Sequence, residues 1–149
     1  MKLSENFSLD EMVKSQTAER KGIPNTPDDD QIESMRLLCE NILQPIRDEY
    51  GPFIVSSGFR SGELCVAIGS NIHSQHAKGE AADFEVAGVD NYGLAVWIRD
   101  NLDFDQLILE CYTGGNSGWI HCSYKPESNR KQTLTYDRVN NYREGLLAS

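Results

Sequence analysis

Apolar residues first fall into a helical rhythm and then into a two-residue one. Ile32, Met35, Leu38, Cys39, Ile42, Leu43 and Ile46 recur at the spacing of one helix face, and Gly51-Pro52 ends that stretch. Thr26 is the expected cap, with Pro27 in the first turn and Asp28, Asp29 and Asp30 complementing the positive helix end. Ahead of it, Ser8-x-x-Glu11 reads as a capping box opening a short helix, and Lys21 to Asn25 as a polar connection. Phe53 to Ser56 predicts a short buried strand, and Ser61 caps a short helix over Leu64 to Ile68 that Gly69 ends. Alternation then predicts a strand over Ala81 to Val86. Asn91 is the expected cap of a helix running to Leu102, with Leu94, Ala95, Trp97 and Ile98 to pack. Strands follow over Gln106 to Cys111 and Gly118 to Tyr124, joined by a Gly-rich loop, and Lys131 to Arg138 suits an edge strand. Residues from about 139 read as a ragged tail. Helices first and short strands later predict an α+β domain with an antiparallel sheet and N-terminal helices.

A chain of 149 residues fits one domain, 1–149, with no repeat or low-complexity tract, and a monomer is expected. The 23 acidic against 14 basic residues give a net charge of −9, which argues against a phosphate-tracking nucleic-acid surface and predicts repulsion from teichoic-acid-rich walls. The N-terminal residues lack the apolar core of a signal peptide, and no apolar run reaches a membrane span. The expectation is synthesis ending in the cytoplasm without membrane insertion, so that a wall substrate would require release or delivery by another agent. Four cysteines in a reducing compartment read as thiols. Strand alternation turns Cys111 and Cys122 away from the face that Glu110 and His121 share.

Chemistry concentrates in Ser74-Gln75-His76-Ala77-Lys78-Gly79-Glu80-Ala81-Ala82-Asp83 and in Trp119-Ile120-His121. Two histidines and one aspartate complete the protein ligand set of an open zinc site, with a fourth position left for water. The order S-x-H-x-x-G-x-A-x-D, then W-x-H, resembles the D-Ala-D-Ala metallopeptidase family, whose fold is shared with the Hedgehog signalling domain. The resemblance extends to Phe7-Ser8-Leu9-Asp10-Glu11-Met12, to Ser15-Gln16-Thr17-Ala18 with Gly22-Ile23-Pro24-Asn25-Thr26-Pro27, and to Ser56-Ser57-Gly58-Phe59-Arg60-Ser61, all similar to a phage and bacterial branch. It spans about Phe7 to Tyr124.

The resemblance implies one zinc ion held by His76, Asp83 and His121, and a peptidoglycan peptide as substrate, cut by a carboxypeptidase or endopeptidase of the phage endolysin type. It implies that Arg60 contacts substrate or the tetrahedral intermediate. Several family members carry the water-activating acid three residues before the last histidine, where this chain has Gly118. Glu110, at the end of an apolar strand, takes that role in the Hedgehog-like arrangement and is the expected general base and acid. His73 and Glu85 are the next candidates. Ser74 is expected to orient the metal loop, Trp119 to wall the cleft, and His73 to meet substrate alongside them. The rival reading is a non-catalytic zinc module or virion component of the same fold, for which Glu110 has no use.

Overall fold

In the computed structural model, which describes residues 1–148, short helices α1 (Leu9–Val13) and α2 (Gln16–Lys21) precede a long helical stretch. That stretch is α3 (Asp29–Leu38), a π-helical turn (Cys39–Leu43) and α4 (Gln44–Tyr50). Then come β1 (Ile54–Ser57), α5 (Gly62–Ala67), a 3-10 turn (Gln75–Lys78), β2 (Ala81–Glu85) and α6 (Asn91–Asn101). The chain closes with β3 (Gln106–Glu110), β4 (Trp119–Ser123), β5 (Gln132–Asp137) and β6 (Asn141–Glu144). This is the expected α+β architecture. No helix among the described residues is long and apolar enough to cross a membrane.

The six strands form one sheet in the order β1-β2-β4-β3-β5-β6. Every pair is antiparallel except β3 with β5, which are parallel. One face of the central strands carries Ala82, Phe84, Leu107, Leu109, Ile120 and Cys122, all fully buried. Met35, Leu38, Ile42, Leu43 and Ile46 of the long helix, with Leu94 and Ile98 of α6, join them in one core. Burying a large aliphatic side chain stabilises by about 1.5–3 kcal/mol, so this face holds the sheet to the helices. The opposite face is left free for chemistry.

Several elements differ from expectation for definable reasons. The cap of α3 is Asp28, not Thr26: its carboxylate accepts from Gln31 N at 2.8 Å and the Gln31 side-chain oxygen accepts in turn from Asp28 N at 2.8 Å. A reciprocal box of this kind satisfies two orphan donors where Thr26 would satisfy one. Pro45 follows the π turn, in which Gln44 N–H reaches back to Cys39 O; the wider turn accommodates a residue without an N–H. Asp90, not Asn91, caps α6 by accepting from Gly93 N, while Asn91 is buried and donates to Ser117 O and Gly118 O. The polar segment Gln16–Lys21, where no helix was expected, is helical with Ser15 as cap.

β1 is the sheet edge rather than a buried strand, and Ile54 is 82% exposed. β5 is interior rather than an edge, because β6 pairs with it. The supposed ragged tail is therefore ordered at least through that hairpin: Thr135 Oγ1 donates to Gly145 O at 2.8 Å and accepts from Leu147 N at 2.9 Å.

Asp105 ties the strand half of the molecule together. Its carboxylate is fully buried and accepts from Arg130 N, Nε and Nη2 and from Gln75 Nε2, at 2.7–3.0 Å. Burial works against the charge, but the Arg130 and Gln75 hydrogen bonds prevail and hold the carboxyl down at about 2. A depressed carboxyl contributes stability above its unfolded value near 3.9 and loses it as pH falls through its folded value. Urea unfolding between pH 7 and pH 2.5 should show a loss on the order of 2 kcal/mol from this group. In Asp105→Asn that share of the acid destabilisation should be absent and the protein already weaker at pH 7.

Candidate metal centre

The register of β2 on β4 builds the centre. Asp83 stands directly opposite His121, and residues facing each other on a ladder share a sheet face. His121 Nδ1 lies 2.9 Å from Asp83 Oδ1. The third member arrives from the 3-10 turn: His76 Nε2 lies 3.4 Å from Asp83 Oδ2. Ligand atoms of His76, Asp83 and His121 all fall within 4.8 Å of one another, and no other such cluster occurs among the described residues.

His76 is placed by close packing. Gly79, which ends the turn at φ 76°, comes so near α3 that a β-carbon there would meet Gln31 O at 2.5 Å. Gln31 Nε2 in turn donates to Ala77 O at 3.1 Å. Ser74 caps the turn, its hydroxyl accepting from His76 N at 3.2 Å. His76 Nδ1 is 2.7 Å from Gly58 O. A carbonyl only accepts, so Nδ1 carries a proton there, and Nε2 is the nitrogen turned toward Asp83, the one a cation would take in exchange for its proton.

The donor set fits a divalent ion. Metal–ligand bonds of 2.0–2.1 Å in a tetrahedron put ligand atoms about 3.3 Å apart, and His121 Nδ1 and His76 Nε2 stand 2.9 and 3.4 Å from Asp83, each on a different carboxylate oxygen. Burial alone would raise the Asp83 carboxyl, but hydrogen bonds from His121 and His76 hold it well below the usual carboxylate range. It is therefore an anion at neutral pH, as a ligand must be.

Arg60 and Glu110 flank the cluster on opposite sides. Arg60 follows β1, donates through Nε to Ser57 Oγ at 2.8 Å and through Nη2 to Asp83 Oδ2 at 3.1 Å. Glu110 ends β3 directly across from Trp119, on the face that carries His121. Trp119 Nε1 donates to Glu110 Oε2 at 2.8 Å. Burial first, then the Asp83 charge, push the Glu110 carboxyl above its ordinary value, against the pull of His121, the Trp119 N–H and Arg60.

Gly118, where several members of the resembling family carry the acid, is barred to a side chain. At φ 67° its β-carbon would collide with the Glu110 carbonyl oxygen and sit 2.7 Å from the Cys111 carbonyl carbon. The carboxyl on this face comes from the preceding strand, where Glu110 faces Trp119.

A cleft of about 510 Å³ runs along β3 past Gln106, Ile108 and Glu110, and His73, Ser74 and His121 line it too. A second groove of about 510 Å³ lies on the β1 side and is lined by Arg60. The centre thus lies between two open channels. Glu85 is exposed on the edge-strand side and is not among the cleft residues. Cys122 is buried on the helix-packed face and all four cysteines are free thiols. Burial raises the Cys122 and Cys39 thiols, leaving them protonated. Gln75, Lys125 and Tyr142 also line the cleft without an expected role there: Gln75 arrives with the turn that carries His76, Lys125 follows β4, and Tyr142 is brought by the pairing of β6.

A sequence model described as Peptidase M15 matches residues 5–123, which includes Arg60, His76, Asp83, Glu110 and His121. The chain belongs to the peptidase M15 family. No curated protein matches it. M15 membership makes the chain a metallopeptidase, and its His-Asp-His cluster is the one group found among the described residues that could hold a metal ion.

Trp119→Phe tests the electrostatics of this M15 site. The indole N–H favours the ionised form of Glu110, so its loss should raise the carboxyl further. NMR titration of the Glu110 carboxyl carbon should show a midpoint at higher pH in the variant; an unchanged midpoint would disconnect Trp119 from the charge on Glu110.

Proposed function

We propose that the protein is a zinc peptidase acting on the stem peptides of bacterial peptidoglycan, in the manner of a phage endolysin. The observation that carries this reading is a carboxyl above its ordinary value, Glu110, on the same face and in the same cleft as His121. A module that only binds zinc has no need of it. The peptidoglycan substrate is supported by the S-G-F-R-S, S-x-H and W-x-H elements together with M15 membership.

His76 through Nε2, Asp83 through its carboxylate and His121 through Nδ1 would hold zinc, whose preference for nitrogen and oxygen donors in an open four-coordinate set they meet. Zinc when bound supplies Lewis-acid polarisation and a lowered water pKa. Trp119 occupies Glu110 Oε2, which leaves Oε1 to take a proton from the attacking water and return it to the departing nitrogen. Arg60, held against Asp83 by Nη2, offers its planar guanidinium to the oxygen on which negative charge develops. Ser74 keeps the 3-10 turn, and with it His76, in place. His73 supplies cleft surface around the peptide, whereas Trp119, expected to wall the cleft, lines a separate groove with Cys111 and Asp137 and acts through its bond to Glu110.

Glu110→Gln keeps the shape and one accepting oxygen but cannot hold the proton. Digestion of purified muropeptides followed by mass spectrometry should show cleavage by wild type, a rate lower by about 10²-fold or more in the variant, and equal zinc in both by elemental analysis. A variant that cuts at the wild-type rate removes Glu110 from the chemistry. If neither protein cuts while both hold zinc, the binding-module reading takes its place.

A further inference from the structure

The hairpin of β5 and β6 lies beyond the family match, which ends at residue 123, yet it reaches the cleft. On the ladders, Trp119 faces Glu110, Glu110 faces Tyr136, and Tyr136 faces Tyr142. These four residues form one row across four strands, on the face that carries Asp83 and His121. Tyr142 is 59% exposed and lines the same cleft as His121 and Glu110. Its ring rests on that of Tyr136, with centroids 4.7 Å apart. The hairpin is a fixed platform, not a loose flap: Arg143 pairs with Asp137 at 3.1 Å, and Gly145 N donates to Thr133 O at 2.9 Å.

The row gives the cleft a direction. Arg60 lies on the β1 flank of the metal cluster and Glu110 on the β3 flank, with Tyr136 and Tyr142 beyond it. In the reaction proposed above, the developing oxyanion faces Arg60 and the departing nitrogen takes its proton from Glu110. The residue that carries that nitrogen must then extend toward β5 and β6. An exposed phenol ring backed by a second ring offers that residue apolar surface at little cost in conformational freedom.

We infer that Tyr142 is a substrate-contacting specificity residue that selects an aliphatic side chain on the leaving-group residue of the scissile bond. This rests on the peptidase reading and on Glu110 as proton donor. The ring carries the contact, and its hydroxyl is dispensable.

The test uses otherwise identical wall peptides whose leaving residue is glycine or carries an aliphatic side chain of three or four carbons. Wild type should favour the aliphatic peptide in kcat/KM by about tenfold or more, the scale on which burial of a few methylenes against an apolar surface discriminates. Tyr142→Phe should keep that ratio. Tyr142→Thr, whose β-branched side chain suits a strand, should bring it to within about twofold through KM, with metal content and circular dichroism unchanged. Tyr142→Trp keeps the aromatic pair but crowds the cleft, and should slow the aliphatic peptide while sparing glycine. A wild type that cuts both peptides equally well, a folded Tyr142→Thr that keeps the ratio, or a Tyr142→Trp that slows both alike overturns the inference and leaves the peptidase reading standing. If the zinc-loaded wild type cuts no wall peptide, the peptidase reading fails and takes this inference with it.

Discussion

The pairing of Asp83 with His121 across the β2–β4 ladder is the constraint on which the rest depends. A slip of one residue would turn one partner into the helix-packed core and present a buried alanine or phenylalanine in place of the aspartate. The register is held from the other face, where Ala82, Phe84, Ile120 and Cys122 are buried against the helices. Hydrophobic burial thus fixes the position of a polar cluster it never touches. Asp83 itself is the meeting point: one oxygen for His121, the other for His76 and Arg60.

The parts brought to that carboxylate come from separate elements, each with its own local support. His76 depends on the close approach of Gly79 to α3 and on the Gly58 carbonyl. Its neighbour Gln75 is anchored to the buried Asp105, which is why an ion pair with Arg130 outside the centre bears on the turn that carries a ligand. Trp119 and His121 follow a loop that Asn91 clamps at Ser117 and Gly118. A cluster assembled from a turn and two strands has little freedom of its own, as preorganised chemistry requires.

Much of this was legible in the sequence because it is local or periodic. Alternation alone put Glu110 with His121 on one face and turned Cys122 to the other. The long helix face, the capping box at Ser8 and the strands β2, β3 and β4 follow from the same kind of signal. The failures have physical sources. Thr26, Asp28 and Asp29 are all capable caps within four positions, and the side-chain return from Gln31 decides among them. In α2 only Ala18 is buried, so no apolar period announces a helix. β6 is polar and largely exposed, and its order comes from pairing with β5, which itself lies parallel to β3 across an intervening strand of sequence. Tyr142 and the row it completes were invisible for that reason.

The central claim is that one divalent ion is held by His76, Asp83 and His121. X-ray absorption spectroscopy of the protein loaded with one equivalent of zinc tests it directly. The account predicts four nitrogen or oxygen neighbours at about 2.0–2.1 Å, with the outer-shell scattering of two imidazoles and no sulfur. A zinc–sulfur distance near 2.3 Å, which would bring Cys111 into the site, or a six-oxygen shell without imidazole scattering would contradict it.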